Sequence, residues 1–265
     1  MNLTTIATEE KEGVLTIILN RPDAMNAFNL QMIAEVSSTL DRAEEDRNIK
    51  VVIITATGKV FCAGADLKEI QGFIAGDYVN SKEFDTFSQT LNRMLNKIEK
   101  LRKPVIAAIN GYALAGGLEL VMVCDLAVCS EQAKLGDQHA NVGLLPASGG
   151  TQRLPRLIGI RKAKELLFTG DMISAREAER LCLVNKVVPA DVLLSATEEI
   201  AAKITKKSPL ATQSLKKLIY DGIQVDLDTA LELERSAVIR HHGTRDLREG
   251  IKSFLEKRKP VFSGE

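Results

Sequence analysis

The sequence has few of the features that mark secreted, membrane-spanning or nucleic-acid-binding proteins. In its 265 residues, 35 Lys and Arg balance 35 Asp and Glu, so no net charge attracts nucleic acid or an anionic membrane. Four cysteines and no CxxC motif indicate buried, reduced thiols. Apolar runs are too short to span a bilayer, and residues 1–12 lack the regions of a signal peptide. We therefore expect a cytoplasmic globular protein that binds neither nucleic acid nor membrane.

The common signatures of nucleotide, hydrolase and metal sites are also missing. Gly111 and Gly116 have the glycine spacing of a phosphate-binding loop, but Gly117 and Leu118 occupy the positions that require Lys and Ser or Thr. No GxGxxG, GxSxG or HExxH motif occurs, and there is no Cys/His cluster. The sequence therefore predicts no metal site.

Hydrophobic patterning predicts an α/β protein. β-branched runs at residues 14–19, 51–55 and 105–109 alternate with helical patterns through the first part of the chain. The remainder is predicted to be almost entirely helical, with helices at 191–204, 209–220, 226–240 and 244–257. We therefore predict a core at residues 1–190 and a helical region at residues 191–265.

The first candidate site segment is residues 61–68, which follow the predicted strand at 51–55. Small residues around Gly64 allow a ligand to approach the backbone closely and leave an N–H free to donate. The alternative is a tight turn in which Asp66 serves only as the N-cap of the next helix.

The second candidate segment is residues 111–119. Gly116 and Gly117 open an apolar helix, whose free N–H groups form a natural cradle for an anion. Glu119 lies about one turn beyond Gly116 on the same face, inside an apolar run. Burial would raise its pKa toward the range useful for proton transfer. The alternative is a structural carboxylate bonded to a backbone donor.

The third candidate segment, residues 135–153, contains His139 in a polar, loop-like stretch. A lone histidine is by default a surface or structural residue, so His139 alone does not indicate a site. Ser148 is predicted to be the N-cap of a short helix.

Together these segments resemble the crotonase superfamily, that is, the enoyl-CoA hydratase/isomerase family, along essentially the whole chain. The matching landmarks, in order, are Asn20-Arg21-Pro22, Cys62-Ala63-Gly64-Ala65-Asp66, Lys103-Pro104-Val105, Asn110-Gly111, Gly116-Gly117, Glu119, Cys124-Asp125, Gly149-Gly150-Thr151-Gln152-Arg153-Leu154, Phe168-Thr169-Gly170 and Phe254-Leu255-Glu256-Lys257. The resemblance implies a spiral of repeated ββα units, followed by a C-terminal helical trimerisation region. Trimers of this family usually pair into hexamers.

The resemblance also implies roles for individual residues. The backbone N–H groups of Ala65 and Gly116 correspond to an oxyanion hole that stabilises a thioester enolate. Glu119 matches the first of two hydratase glutamates, and His139 occupies the position of the second. The positions implied for binding CoA are Ala24, Ala63, Asp66, Lys68 and Lys257.

The expected activity is addition of water to a 2-enoyl-CoA, or its reverse, with no cofactor beyond the CoA of the substrate. A Glu119/His139 pair would share the acid and base roles. Because His139 departs from the hydratase pattern, isomerisation, decarboxylation and hydrolysis of a CoA thioester remain alternatives. A further alternative is a non-catalytic member that binds CoA or RNA. Retention of both oxyanion segments and Glu119 argues against it.

Overall fold

The computed structural model describes residues 3–75 and 78–265, which form strands, helices and three short 3-10 helices. The strands are β1 (Ile6–Lys11), β2 (Val14–Leu19), β3 (Val51–Ala56), β4 (Val60–Cys62), β5 (Ile74–Ala75), β6 (Tyr78–Val79), β7 (Val105–Ile109), β8 (Tyr112–Leu114), β9 (Leu126–Ser130), β10 (Lys134–Gly136), β11 (Met172–Ser174) and β12 (Lys186–Val188). The helices are α1 (Leu30–Glu45), α2 (Leu67–Gln71), α3 (Ser81–Lys100), α4 (Gly116–Val123), α5 (Gly150–Ile158), α6 (Ile160–Thr169), α7 (Ala175–Arg180), α8 (Leu193–Thr205), α9 (Pro209–Gly222), α10 (Leu227–His241) and α11 (Arg245–Leu255). The 3-10 helices are Pro22–Ala24, His139–Val142 and Ala190–Val192.

Two sheets form the core, and successive turns of the chain add one strand to each. The larger sheet has the order β1-β2-β3-β7-β9-β12, and its pairs are parallel except for the β1–β2 hairpin. The smaller sheet has the order β11-β10-β8-β4, in which only β10 and β11 are antiparallel. The pairs β3–β4, β7–β8 and β9–β10 each place their first strand in the larger sheet and their second in the smaller. This repeat confirms the predicted α/β spiral of ββα units.

The larger sheet is buried on both faces, as its continuous apolar strands indicate. In β3, Val52 and Ile54 face the main core with α1 and α3, whereas Val51 and Ile53 face a second apolar cluster. This alternation follows from the two-residue period of a strand. Helix α8, beginning at Leu193, covers the second face. The division of the chain at residue 190 stays a prediction, and α8 beyond it packs directly on the sheet.

The four helices predicted after residue 190 are α8 to α11. Three of them begin at a residue whose side chain accepts a hydrogen bond from the backbone N–H three residues ahead: Ser208, Asp226 and Thr244. Among the helices of the described chain, none combines the length and the apolar character needed to cross a membrane.

Candidate active site

One cleft brings together the four residues predicted to do chemistry. Ala65, Gly116, Glu119 and His139 all line it, although they come from three different segments of the chain. The other lining residues, mostly apolar, are Ile70, Phe84, Phe87, Ser88, Leu91, Leu144, Leu145, Ala147 and Ser148. The cleft encloses a cavity of about 40 Å³. It is a largely apolar cavity with a few convergent polar groups, which is typical of a small-molecule site.

Two backbone N–H groups of this cleft are free to bind an oxyanion. Within the described residues, neither the Ala65 nor the Gly116 N–H donates a hydrogen bond. Gly116 is the first residue of α4, so its N–H lies at the positive end of that helix. A Cβ on Gly64, whose φ is +97°, would lie 2.8 Å from the Gly116 nitrogen. This close contact of the two segments therefore requires glycine at position 64 and brings the two donors together.

The residue before this donor has a strained backbone. Ala115 has φ 49° and ψ −118°, a backbone conformation that residues other than glycine rarely adopt. Its N–H donates to the carbonyl of Gly136 at 3.0 Å, which ties the start of α4 to β10. Such strain costs about 1–3 kcal/mol and persists where the surrounding structure imposes it, often at active sites. The fold therefore holds the Gly116 peptide in a fixed orientation.

Glu119 is buried in the cleft, with 2% of its surface exposed. Its Oε1 accepts hydrogen bonds from the N–H groups of Ser148 and Gly150, each at 2.9 Å. Burial raises the pKa of Glu119, and these two bonds and the nearby His139 oppose that rise in part. The structural alternative is confirmed, since the carboxylate is bonded to two backbone donors. Glu119 also lines the cleft, and its role in proton transfer stays a prediction.

His139 is paired with a carboxylate that the sequence analysis missed. Its Nδ1 lies 3.0 and 3.1 Å from the two carboxylate oxygens of Asp137, which is 1% exposed. Burial lowers the pKa of His139, but the hydrogen bond and charge of Asp137, with the charge of Glu119, raise it above its ordinary value. Since a carboxylate accepts, Nδ1 carries the proton, which leaves Nε2 as the atom available to a substrate.

The spacing of these two residues was a usable signal. Asp side chains often accept a hydrogen bond from the backbone N–H two residues ahead, and Asp137 Oδ1 accepts from the His139 N–H at 3.2 Å. The same local turn places the imidazole of His139 against the carboxylate of Asp137. The pattern Asp-Gln-His therefore predicts contact between the first and third residues.

The loop that binds Glu119 is fixed by Arg153 of α5. The Arg153 guanidinium donates to the Ser148 carbonyl at 2.8 Å and forms a two-point ion pair with Glu99 of α3, at 2.8 and 2.7 Å. The predicted N-cap role of Ser148 is wrong, because Gly149, with φ +101°, caps α5 without a side-chain bond. The Ser148 hydroxyl is instead buried and has no hydrogen-bond partner.

The residues predicted to bind CoA occupy two places. Ala24 and Ala63 lie in neighbouring segments, since the Ala63 N–H donates to the carbonyl of Met25, the residue after Ala24, at 3.1 Å. Lys68 is exposed at the start of α2, beside this group. Lys257 is also exposed and follows α11. Their binding roles stay predictions.

Asp66 has the structural role that was given as its alternative. Its Oδ1 accepts from the Lys68 N–H at 3.0 Å and caps α2. Its Oδ2 pairs with Arg21 at 3.0 Å, and both side chains are largely buried. These contacts hold the segment before α2, and with it Ala65, in place. A role of Asp66 in binding CoA stays a prediction.

In the described chain, no cluster of three or more His, Cys, Asp or Glu side chains could hold a metal.

Comparison with known proteins gives consistent matches. The family model described as Enoyl-CoA hydratase/isomerase matches residues 9–265. The crotonyl-CoA hydratase of Syntrophomonas wolfei is 42% identical over 97% of both chains. The short-chain-enoyl-CoA hydratase of Clostridium acetobutylicum is 40% identical over 98% of this chain and 97% of its own. The crystal structure of an enoyl-CoA hydratase from Bacillus anthracis superimposes with a TM-score of 0.94 at 41% identity, covering 99% of this chain and 100% of the other.

Proposed function

Because this chain belongs to the enoyl-CoA hydratase/isomerase family, we propose that it is a hydratase that adds water to a 2-enoyl-CoA. The observation that carries this proposal is the single cleft in which two free backbone N–H groups face an acid/base pair. Ala65 and Gly116 supply the N–H groups, and Glu119 and His139 supply the pair.

The Ala65 and Gly116 N–H groups stabilise charge on the thioester oxygen. When an oxygen adds to C3 of the 2-enoyl group, the electrons of the C2=C3 bond move into the thioester and form an enolate. Donors fixed by the Gly64 contact and the strained Ala115 need no reorganisation to bind that enolate.

Glu119 and His139 move the two protons. Glu119 takes a proton from the water as the water oxygen bonds to C3, and the His139 imidazolium gives a proton to C2. The product is the 3-hydroxyacyl-CoA, and a proton passes from Glu119 back to His139 to restore the starting state. Asp137 favours the imidazolium form that this step needs.

The substrate supplies the only coenzyme in this scheme. Water, two proton carriers and two backbone donors account for every step, so the proposed reaction requires no metal or redox cofactor. We place the CoA nucleotide along the segments of Ala24, Ala63, Asp66 and Lys68, with Lys257 as a further contact. The four cysteines are free thiols, which supports a cytoplasmic location as part of the proposal.

We further propose that the C-terminal helices assemble the chain into trimers or hexamers. Helix α9 contributes no buried residue, and apolar side chains four residues apart along it and at its C-cap are open to solvent, with Leu215 58%, Ile219 65% and Ile223 71% exposed. Contiguous exposed apolar surface of this kind is typical of an interface. Sedimentation at micromolar concentration should give three or six times the 29.0 kDa of one chain, and a stable monomer would contradict the proposal.

A panel of CoA thioesters with products identified by mass spectrometry tests the reaction. With crotonyl-CoA, we expect a product heavier by one water. A product of unchanged mass would identify an isomerase, loss of carbon dioxide a decarboxylase, and release of free CoA a thioester hydrolase. Any of these in place of hydration would contradict the proposal.

A further inference from the structure

The hydroxyl of Ser148 is an unusual group in this protein. Within the described residues, Ser148 Oγ and Asn110 Oδ1 are the two buried side-chain polar atoms without a hydrogen-bond partner. Ser148 is 1% exposed. Leaving a buried hydroxyl unpaired is costly, and native proteins rarely do so without a reason.

The backbone of Ser148 is fixed on both sides. Its N–H donates to Glu119 Oε1 at 2.9 Å, and its carbonyl accepts from Arg153 at 2.8 Å. Arg153 is in turn held by Glu99. Because the backbone is fixed, the hydroxyl can move only by rotation about its own side-chain bond, and in its present position it has no protein partner.

The hydroxyl belongs to a residue that lines the cleft of the acid/base pair. Ser148 lines that cleft together with Glu119 and His139, while most of the remaining lining is apolar. A hydroxyl can donate one hydrogen bond and accept two. It can therefore bind an oxygen that enters as water and leaves as an alcohol, because both species donate and accept.

We propose that Ser148 is a third catalytic contact, whose hydroxyl binds the oxygen that adds to C3, first as water and then as the 3-hydroxyl of the product. The inference rests on the proposed hydration. Glu119 and His139 exchange the protons, and Ser148 holds the oxygen between them. The atoms balance without any further reactant, since Ser148 forms only hydrogen bonds.

Steady-state hydration of crotonyl-CoA is the first test, made only after the wild-type protein has been found to hydrate it. Failure of the wild type would refute the proposed function, whereas the variants below test Ser148 alone. Ser148→Ala should lower kcat about tenfold, the effect of losing one such bond in the transition state, with KM within about twofold. Ser148→Cys keeps the volume but bonds weakly, so it should lose a similar factor.

Binding of two matched ligands is the second test. Calorimetric titration with 3-hydroxybutyryl-CoA and butyryl-CoA compares ligands that differ only in the oxygen on C3. Ser148→Ala should weaken binding of the first by roughly three- to tenfold and leave the second unchanged. Equal weakening of both ligands, or an unchanged kcat, would overturn the proposal.

Ser253→Ala is the control for general effects of removing a buried hydroxyl. Ser253 of α11 is also buried, but its hydroxyl donates to the Gly250 carbonyl at 3.0 Å, outside the cleft. This variant should lower the urea midpoint and keep kcat, whereas Ser148→Ala should lower kcat and keep the midpoint. A lowered midpoint in Ser148→Ala with no ligand preference would make the residue structural.

Discussion

Replacing Asp137 by Asn tests whether the reaction needs the carboxylate bound to His139, because the variant keeps the imidazole itself. The amide keeps the size of the carboxylate but removes its charge. His139 Nδ1 lies 3.0 and 3.1 Å from the two oxygens of the charged Asp137 carboxylate, and a hydrogen bond to a charged group is worth about 1.5–3 kcal/mol. At 1.4 kcal/mol per decade, we expect kcat for crotonyl-CoA hydration to fall about 10- to 150-fold.

The pH dependence of the Asp137→Asn variant gives the more specific result. Asp137 raises the pKa of His139, so its charge extends the imidazolium form to higher pH. Removing the charge lowers that pKa, and the alkaline limb of the kcat profile should therefore move to lower pH. His139→Ala should lose the limb altogether.

Asp171→Asn is the matched control, because Asp171 is exposed and lies outside the cleft. It should reproduce the wild-type rate and pH profile. If Asp137→Asn also retained both, the Asp137–His139 pair would have no part in the reaction.

Two further variants test structural contacts. The carboxylate of Glu35 is fully buried and accepts hydrogen bonds from the backbone N–H groups of Thr4, Thr5 and Ile6. Burial acts against ionisation, but the hydrogen bonds outweigh it and lower the pKa of Glu35 from 4.5 to about 2. The lowered pKa contributes about 3 kcal/mol to the free energy of unfolding above pH 4.5, and this contribution is lost as the pH falls toward 2. In urea unfolding, Glu35→Gln should lack this loss of stability in acid. A variant that still lost it would contradict the assignment. Arg153→Met should lower kcat about tenfold and also the urea midpoint, because the Ser148 carbonyl and Glu99 lose their partner; unchanged values for both would mean that Arg153 does not position the loop.

The sequence predicts the parts of this protein that depend on local pattern or on family landmarks. The apolar run of β3 and the amphipathic α1 and α3 follow from their periodicity. Gly116 and Glu119 share one helix, so their placement one turn apart needed no tertiary information. Ala65 was placed with them through its motif, and the cleft confirms that the two segments meet.

The remaining contacts depend on the tertiary fold. Arg153 and Glu99 are 54 residues apart on different helices, so no spacing rule pairs them. The error at Ser148 has a local cause. Capping preferences favour Ser, but the chain enters α5 through the left-handed conformation of Gly149, and Ser148 lines the cleft instead.

Glu119→Gln tests the central claim most directly, because the amide keeps the size of the side chain and removes its acid/base function. The measurement is single-turnover hydration of crotonyl-CoA, with the Kd of butyryl-CoA determined on the same preparation. We predict a rate lower by about two to four decades, the usual contribution of one acid/base group, with the Kd within about threefold of the wild-type value. A rate close to that of the wild type would contradict the assignment of Glu119 and the mechanism built on it.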